Sequence, residues 1–189
     1  MPSDLITATR RAEAEQVEAA VGSGHPDVVR AFSESFLGSL LHDLNVVHGL
    51  LERMGEPLPA TVVAGDWWNE GRAVTGSVRL SNGARWDSAW IQLLDTFEYD
   101  ERISLYFADS VRTLTFPSPW LRQHPTVYRR SEANRGTNDV SVVTSYEESF
   151  SRELVHFHEC IIDGTPCRTP PEGARLDIDV LTQMFLASR

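Results

Sequence analysis

A change in hydrophobic spacing along the chain limits the folds that it can adopt. Between residues 27 and 54, apolar residues recur at steps of three and four, which predicts one long amphipathic helix. The residues on this stripe are Val28, Phe32, Phe36, Leu40, Leu44, Val47 and Leu51. From residue 61 onward the period becomes two, and Ser81-Asn82-Gly83 is a strong hairpin signal. The chain must therefore combine helices with antiparallel strands.

The rest of the chain extends this pattern. Residues 61–116 predict a meander of four or five antiparallel strands, whereas residues 117–138, rich in Pro, Asn and Gly, predict a loop. A final strand is expected around residues 140–143, where three valines cluster. Helices are also predicted over residues 4–21, 146–162 and 173–187.

The order of these elements predicts an α+β fold with a mostly antiparallel, open sheet and helices on one of its faces. Apolar and aromatic residues occupy both faces of the predicted strands, so the other face is expected to be an oligomer interface. We divide the 189 residues into an N-terminal helix (1–26) that could dock on a partner and an α+β domain (27–189).

Charge and composition exclude several functions. The net charge of -10 disfavours nucleic acid and anionic membranes as partners. All 17 basic residues are arginine, so no lysine is present to form a Schiff base or to act as a general acid. No signal peptide or membrane-length apolar run is evident, and two cysteines do not make a disulfide framework. We therefore expect a reduced, cytoplasmic protein.

Two stretches resemble the C-terminal, substrate-binding domain of the Gfo/Idh/MocA oxidoreductases. Residues 153–166 have the order E-L-x-x-F-x-x-x-I-x-x-G-x-P, and residues 172–178 follow with Ala, Arg and Asp opening a last helix. Residues 38–57 are similar to the family helix that carries a His-(Asp/Glu)-x-(Asp/Asn) cluster and ends near a Gly-x-Pro segment. The Gly-to-Pro step in the first stretch is one residue shorter than in the family. The resemblance covers roughly residues 30–189.

The resemblance also shows what this chain lacks. The family carries an N-terminal Rossmann domain with a G-x-G-x-x-G turn, and no such turn follows a predicted strand here. The family's catalytic lysine is also absent. We therefore expect no cofactor in this chain, and NAD(P) only if a separate Rossmann subunit supplies it.

The resemblance implies a site on the first long helix. His42 matches the family's catalytic histidine, and Asp43 is the second catalytic candidate. Asn45, which shares the helix face of His42, is expected to bind substrate together with Ser39 and His124. The family often places Asp four residues before its histidine, where this chain has Gly38, so full catalytic competence is in doubt.

The other histidines, and the two cysteines, give weaker indications of a catalytic or metal-binding role. His48 lies off the face of His42 and is expected to be structural. His156 and His158 are two residues apart, which places them on opposite sides of a helix, and the spacing of Cys160 and Cys167 is not that of a zinc site. No metal site is expected.

Three functions are compatible with these observations. The chain could be the substrate-binding subunit of a split NAD(P)-dependent oxidoreductase acting on a sugar- or polyol-like substrate beside a Rossmann partner. It could instead be a cofactor-free lyase, isomerase or cyclase that uses His42 for proton transfer. The third alternative is a non-catalytic binding or assembly module. We also expect a homo-oligomer formed through the sheet face and a small-molecule ligand.

Overall fold

A computed structural model describes residues 3–56, 58, 60–121 and 123–188 of the chain and shows helices combined with antiparallel strands. The helices are α1 (Ser3–Val21), α2 (Pro26–Val29), a π-helix (Arg30–Leu40), α3 (Leu41–Arg53), α4 (Ser149–Ile162) and α5 (Pro171–Leu186). The strands are β1 (Thr61–Trp68), β2 (Ala73–Arg79), β3 (Arg85–Ile91), β4 (Glu101–Tyr106), β5 (Ser110–Phe116), β6 (Thr126–Asn134) and β7 (Thr137–Ser145). The predicted α+β class with open antiparallel sheets is confirmed.

The strands form two sheets and not the single meander that the sequence pattern predicted. One sheet has the order β1-β2-β3 and the other the order β4-β5-β6-β7. The prediction of a loop over residues 117–138 was wrong, because Thr126–Asn134 is a strand. Arg135 and Gly136, with φ of 44° and 90°, form the two-residue turn of a hairpin between β6 and β7. Such a turn gives the same Asn and Gly signal as a loop.

The chain divides into two compact units, one of residues 1–94 and 168–189 and the other of residues 95–167. In the first unit, the helical segment from α2 to α3 and the C-terminal helix α5 enclose the core with the β1-β2-β3 sheet. Its largest fully buried apolar side chains are Phe36, Phe185, Leu40, Leu44, Leu181, Met184, Val74 and Val78. Phe185 packs edge-on against Phe32 and Phe36 and stacks on Trp67, so aromatic contacts join all three elements.

Pro57 and Pro59, which are expected to stop the long helix, lie outside the described residues. The helix ends at Arg53, and Gly55 follows with φ of 75°, as expected for a glycine just past a helix end. The apolar spacing did not indicate the π-helical turns before residue 41, where the Leu41 N–H donates to the Phe36 carbonyl.

A pair of glycines lets α5 approach the first sheet closely. Gly65 on β1 and Gly76 on β2 are direct cross-strand partners. A Cβ added at Gly65 would lie 1.9 Å from the Met184 carbonyl oxygen, and one at Gly76 would lie 1.6 Å from the Met184 Cε. The α5 backbone therefore fills the space above Gly65, and the Met184 side chain fills the space above Gly76.

We predict that Gly65→Ala destabilises the first unit by at least about 1–3 kcal/mol, because its methyl group would displace the backbone of α5. Gly49→Ala is the matched control, since a Cβ there meets no atom within 4 Å. In the interior of α3, alanine should stabilise the fold by about 0.5–1 kcal/mol relative to glycine. Urea unfolding followed by circular dichroism measures both changes, and equal effects of the two substitutions would refute the close approach.

The second unit buries little apolar surface. Ile103 and Ser110 are its buried residues among those described, and α4 buries none. The apolar stripe of α4 is exposed along its whole length, at Phe150, Leu154, Phe157 and Ile161. Within the described residues, no helix combines the length and the apolar character that crossing a bilayer requires.

Candidate functional site

His42 lies in the first turn of α3, directly after the π-helix, and its side chain is exposed. Within the described part of the chain, no hydrogen bond or ion pair involves its imidazole. Asp43 is half-buried beside it. An exposed imidazole that serves no structural contact is available to a ligand or to a reacting proton.

One turn further along α3, a buried polar network joins this helix to α5. Asp177 is fully buried and accepts two hydrogen bonds, one to each carboxylate oxygen. The Asn45 Nδ2 donates to Oδ2 over 2.9 Å, and the His48 Nδ1 lies 2.8 Å from Oδ1. The two side chains on α3 thus contact both oxygens of a single carboxyl group on α5.

The second ring nitrogen of His48 points to another acid. Its Nε2 lies 3.5 Å from the Glu52 Oε1, and the histidine side chain is only 7% exposed. His48 thus bridges a fully buried carboxylate and an exposed one. The buried carboxyl group of Asp177 is tolerated only when its hydrogen bonds are satisfied. These hydrogen bonds therefore fix the position of α3 along α5.

The structure assigns different surroundings to the residues predicted as substrate ligands. The Asn45 amide is bound to Asp177, and the Ser39 hydroxyl donates to the Glu34 carbonyl over 3.0 Å within its own helix. His124 belongs to the second unit, where it is exposed and its backbone N–H donates to the Leu121 carbonyl. Of the predicted group, His42 and Asp43 are adjacent on α3, and Asn45 supports the helix from the side of the core.

The His48–Asp177 contact was missed from the sequence. The two residues are 129 positions apart, and no local pattern connects them. The available signal was the spacing of three between Asn45 and His48, which places both on neighbouring positions of one helix surface. On the final helix, the signal was that Asp177 lies four residues before Leu181 and so on the same face as that apolar residue.

The turn between β1 and β2 holds the start of the π-helix. Ser35, which is buried, donates to the Gly71 carbonyl over 2.6 Å. Gly71 has φ of 82°, and a Cβ there would lie 2.4 Å from the Asp27 carbonyl oxygen. Next to it, the Arg72 guanidinium hydrogen-bonds Glu70 and lowers the pKa of that carboxyl. The helical segment that leads to His42 is therefore fixed at both ends, by this turn and by Asp177.

Comparison with known proteins adds no family assignment. Neither protein-family models nor curated protein sequences gave a match to this chain. The resemblance to Gfo/Idh/MocA oxidoreductases therefore depends on residues 38–57 and 153–178 alone.

We predict that Asp177→Ala costs about 3–5 kcal/mol of stability, because it leaves the buried His48 and the half-buried Asn45 without their acceptor. Asp179→Ala, at an exposed position on the same helix, is the control and should change stability by less than about 0.5 kcal/mol. Denaturant unfolding of both variants measures the difference. A similar small effect at both positions would show that the network does not hold α3 on α5.

Proposed function

We propose that the chain is the substrate-binding subunit of a split Gfo/Idh/MocA-type oxidoreductase that acts on a sugar- or polyol-like substrate. The observation that carries this proposal is the exposed imidazole of His42, which makes no hydrogen bond or ion pair among the described residues. His42 lies on α3, and the hydrogen bonds of Asp177 fix the position of that helix from the core side. Histidine is the side chain best suited to exchange a proton with a hydroxyl group at neutral pH. A fixed helix keeps the backbone of His42 in one position, so the imidazole always projects from the same point of the surface.

The redox step in this proposal needs a second protein. The sequence has neither a G-x-G-x-x-G turn after a strand nor a lysine, so NAD(P) would bind to a separate Rossmann subunit. NAD(P) bound there would supply the hydride acceptor for oxidation of the substrate. This chain would hold the substrate, and His42 would accept the hydroxyl proton. Asp43 is half-buried next to His42, and its carboxylate would add negative electrostatic potential near the imidazole.

We predict that the purified chain binds a polyol or sugar through His42. Saturation-transfer NMR with myo-inositol, D-glucose and D-xylose should detect binding, and His42→Ala should weaken it roughly tenfold, the loss expected for one hydrogen bond. His25→Ala removes another exposed histidine of the same unit and should leave binding unchanged.

Two results would contradict this prediction. Binding that is equally strong in His42→Ala would remove His42 from the site. Absence of binding by the wild-type chain for all of these sugars and polyols would remove the proposed substrate class.

A second function, self-association, is favoured by the surface of the second unit. Ile103, Leu114, Tyr128 and Val143 are successive cross-strand partners and therefore form one row across the sheet. Ile103 is 7% exposed at one end of the row, whereas Val143 is 60% exposed at the other. An apolar row that the chain covers at only one end supports a further covering layer. A second copy carries the same row, and a two-fold contact would cover both.

We predict that Val143→Asp prevents self-association of the chain, because it places a charge in the apolar row. Val142→Asp is a closely matched control, since Val142 is 56% exposed on the same strand and its side chain alternates to the opposite face. Light scattering coupled to size exclusion should show a dimer for the wild type and the control and a monomer for Val143→Asp. A monomeric wild type, or dissociation of both variants, would contradict a contact through this row.

A further inference from the structure

Three metal-ligating side chains meet at the end of α4 in the second unit. The ligand atoms of His156, Cys160 and Cys167 all lie within 4.8 Å of one another. Cys160 and Cys167 are both thiols and do not form a disulfide. The Cys160 Sγ lies 3.5 Å from the His156 Nε2, close to the separation of two ligands bound to one tetrahedral zinc ion.

The local fold explains how these residues meet. His156 and Cys160 are four residues apart on α4 and therefore share one face of the helix. The helix stops at Ile162, where the backbone N–H groups of Asp163 and Thr165 both donate to the Glu159 carbonyl. Gly164 adopts φ of 66°, a left-handed conformation that reverses the chain after a helix. The following segment returns Cys167 to the histidine and the first cysteine.

We propose that His156, Cys160 and Cys167 bind a zinc ion. One imidazole nitrogen and two thiolates are a ligand set that zinc prefers, and three protein ligands leave a fourth position for water or another small ligand. The site is distinct from the helix that carries His42, and the proposal does not depend on the oxidoreductase function. Bound zinc would tie the end of α4 to the loop that follows it.

A carboxylate beside the site supports the role of His156. The Glu159 Oε2 lies 3.6 Å from the His156 Nδ1. Histidines that bind a metal through one ring nitrogen commonly donate the other N–H to a carboxylate, which fixes the tautomer. In this arrangement, Nε2 faces Cys160 and serves as the ligand, while Nδ1–H faces Glu159. The neighbouring His158 is exposed and, two residues along the helix, points away from this face.

The test is a metal titration of the full chain after reduction of its thiols and removal of metal by a chelator. Cobalt(II), added as a spectroscopic substitute for zinc, should produce a thiolate charge-transfer band and the visible bands of a tetrahedral site. Zinc should displace it with a stoichiometry of a single ion per chain. Isothermal titration with zinc gives the affinity of each variant.

The variants separate ligands from neighbours. Cys160→Ser and Cys167→Ser should each abolish the charge-transfer band or reduce its intensity, and each should weaken zinc binding more than about 100-fold, beyond the ~10–100-fold effect of losing an outer partner. Glu159→Gln should weaken binding by about 10–100-fold while keeping the band. His156→Asn should weaken binding strongly, whereas His158→Asn, the matched control, should bind as the wild type does.

The proposal is overturned if the reduced chain binds no cobalt or zinc, or if binding persists unchanged in both cysteine variants. It is also overturned if mass spectrometry finds a Cys160–Cys167 disulfide and the fully reduced chain still takes up no metal. Circular dichroism of each variant identifies loss of fold, and the single substitutions at these partly exposed positions leave the buried core untouched.

Discussion

The packing of the first unit depends on one buried carboxyl group. Asp177 is fully buried in α5 and accepts hydrogen bonds from Asn45 and His48, which lie on α3. Since a carboxylate in the interior is stable only with its partners in place, the two helices can pack in one register alone. Sliding α3 by one turn would separate Asp177 from both partners and leave two buried polar groups, Asp177 and His48, unsatisfied. This constraint determines where His42, one turn earlier on α3, emerges at the surface.

The two units differ in how much apolar surface they bury. The first has a dense core in which the Met184 backbone fills the space above Gly65 and the Met184 side chain fills the space above Gly76. The second consists of a four-stranded sheet and a helix whose apolar stripe remains exposed. A sheet needs a layer on at least one face, so the second unit is the part in which a second copy would add most stability. A metal that joins α4 to its following loop would order the same unit from within.

Much of the local structure could be predicted from hydrophobic spacing, because the apolar stripe of residues 27–54 and the alternation around Val74 and Val78 reflect burial directly. Three features could not. The division into two sheets depends on which strands pair, and spacing does not encode pairing. The strand Thr126–Asn134 is followed by a tight turn that resembles a loop in composition. The partners of Asp177 and of Cys160 are brought together by the fold, and in the second case the informative spacing was His156 to Cys160.

In the proposed split enzyme, His42 would accept a substrate proton from a helix that Asp177 holds in place, while another protein would bind the hydride acceptor. The most direct measurement is NAD⁺ reduction by this chain co-expressed with a free-standing Rossmann-domain protein encoded beside its gene, with a polyol or sugar as substrate. If His42 accepts the substrate proton, NADH forms only when both proteins are present. The rate of NADH formation then falls sharply with His42→Ala. Lack of any such neighbouring reading frame, or an equal rate with His42→Ala, would contradict it.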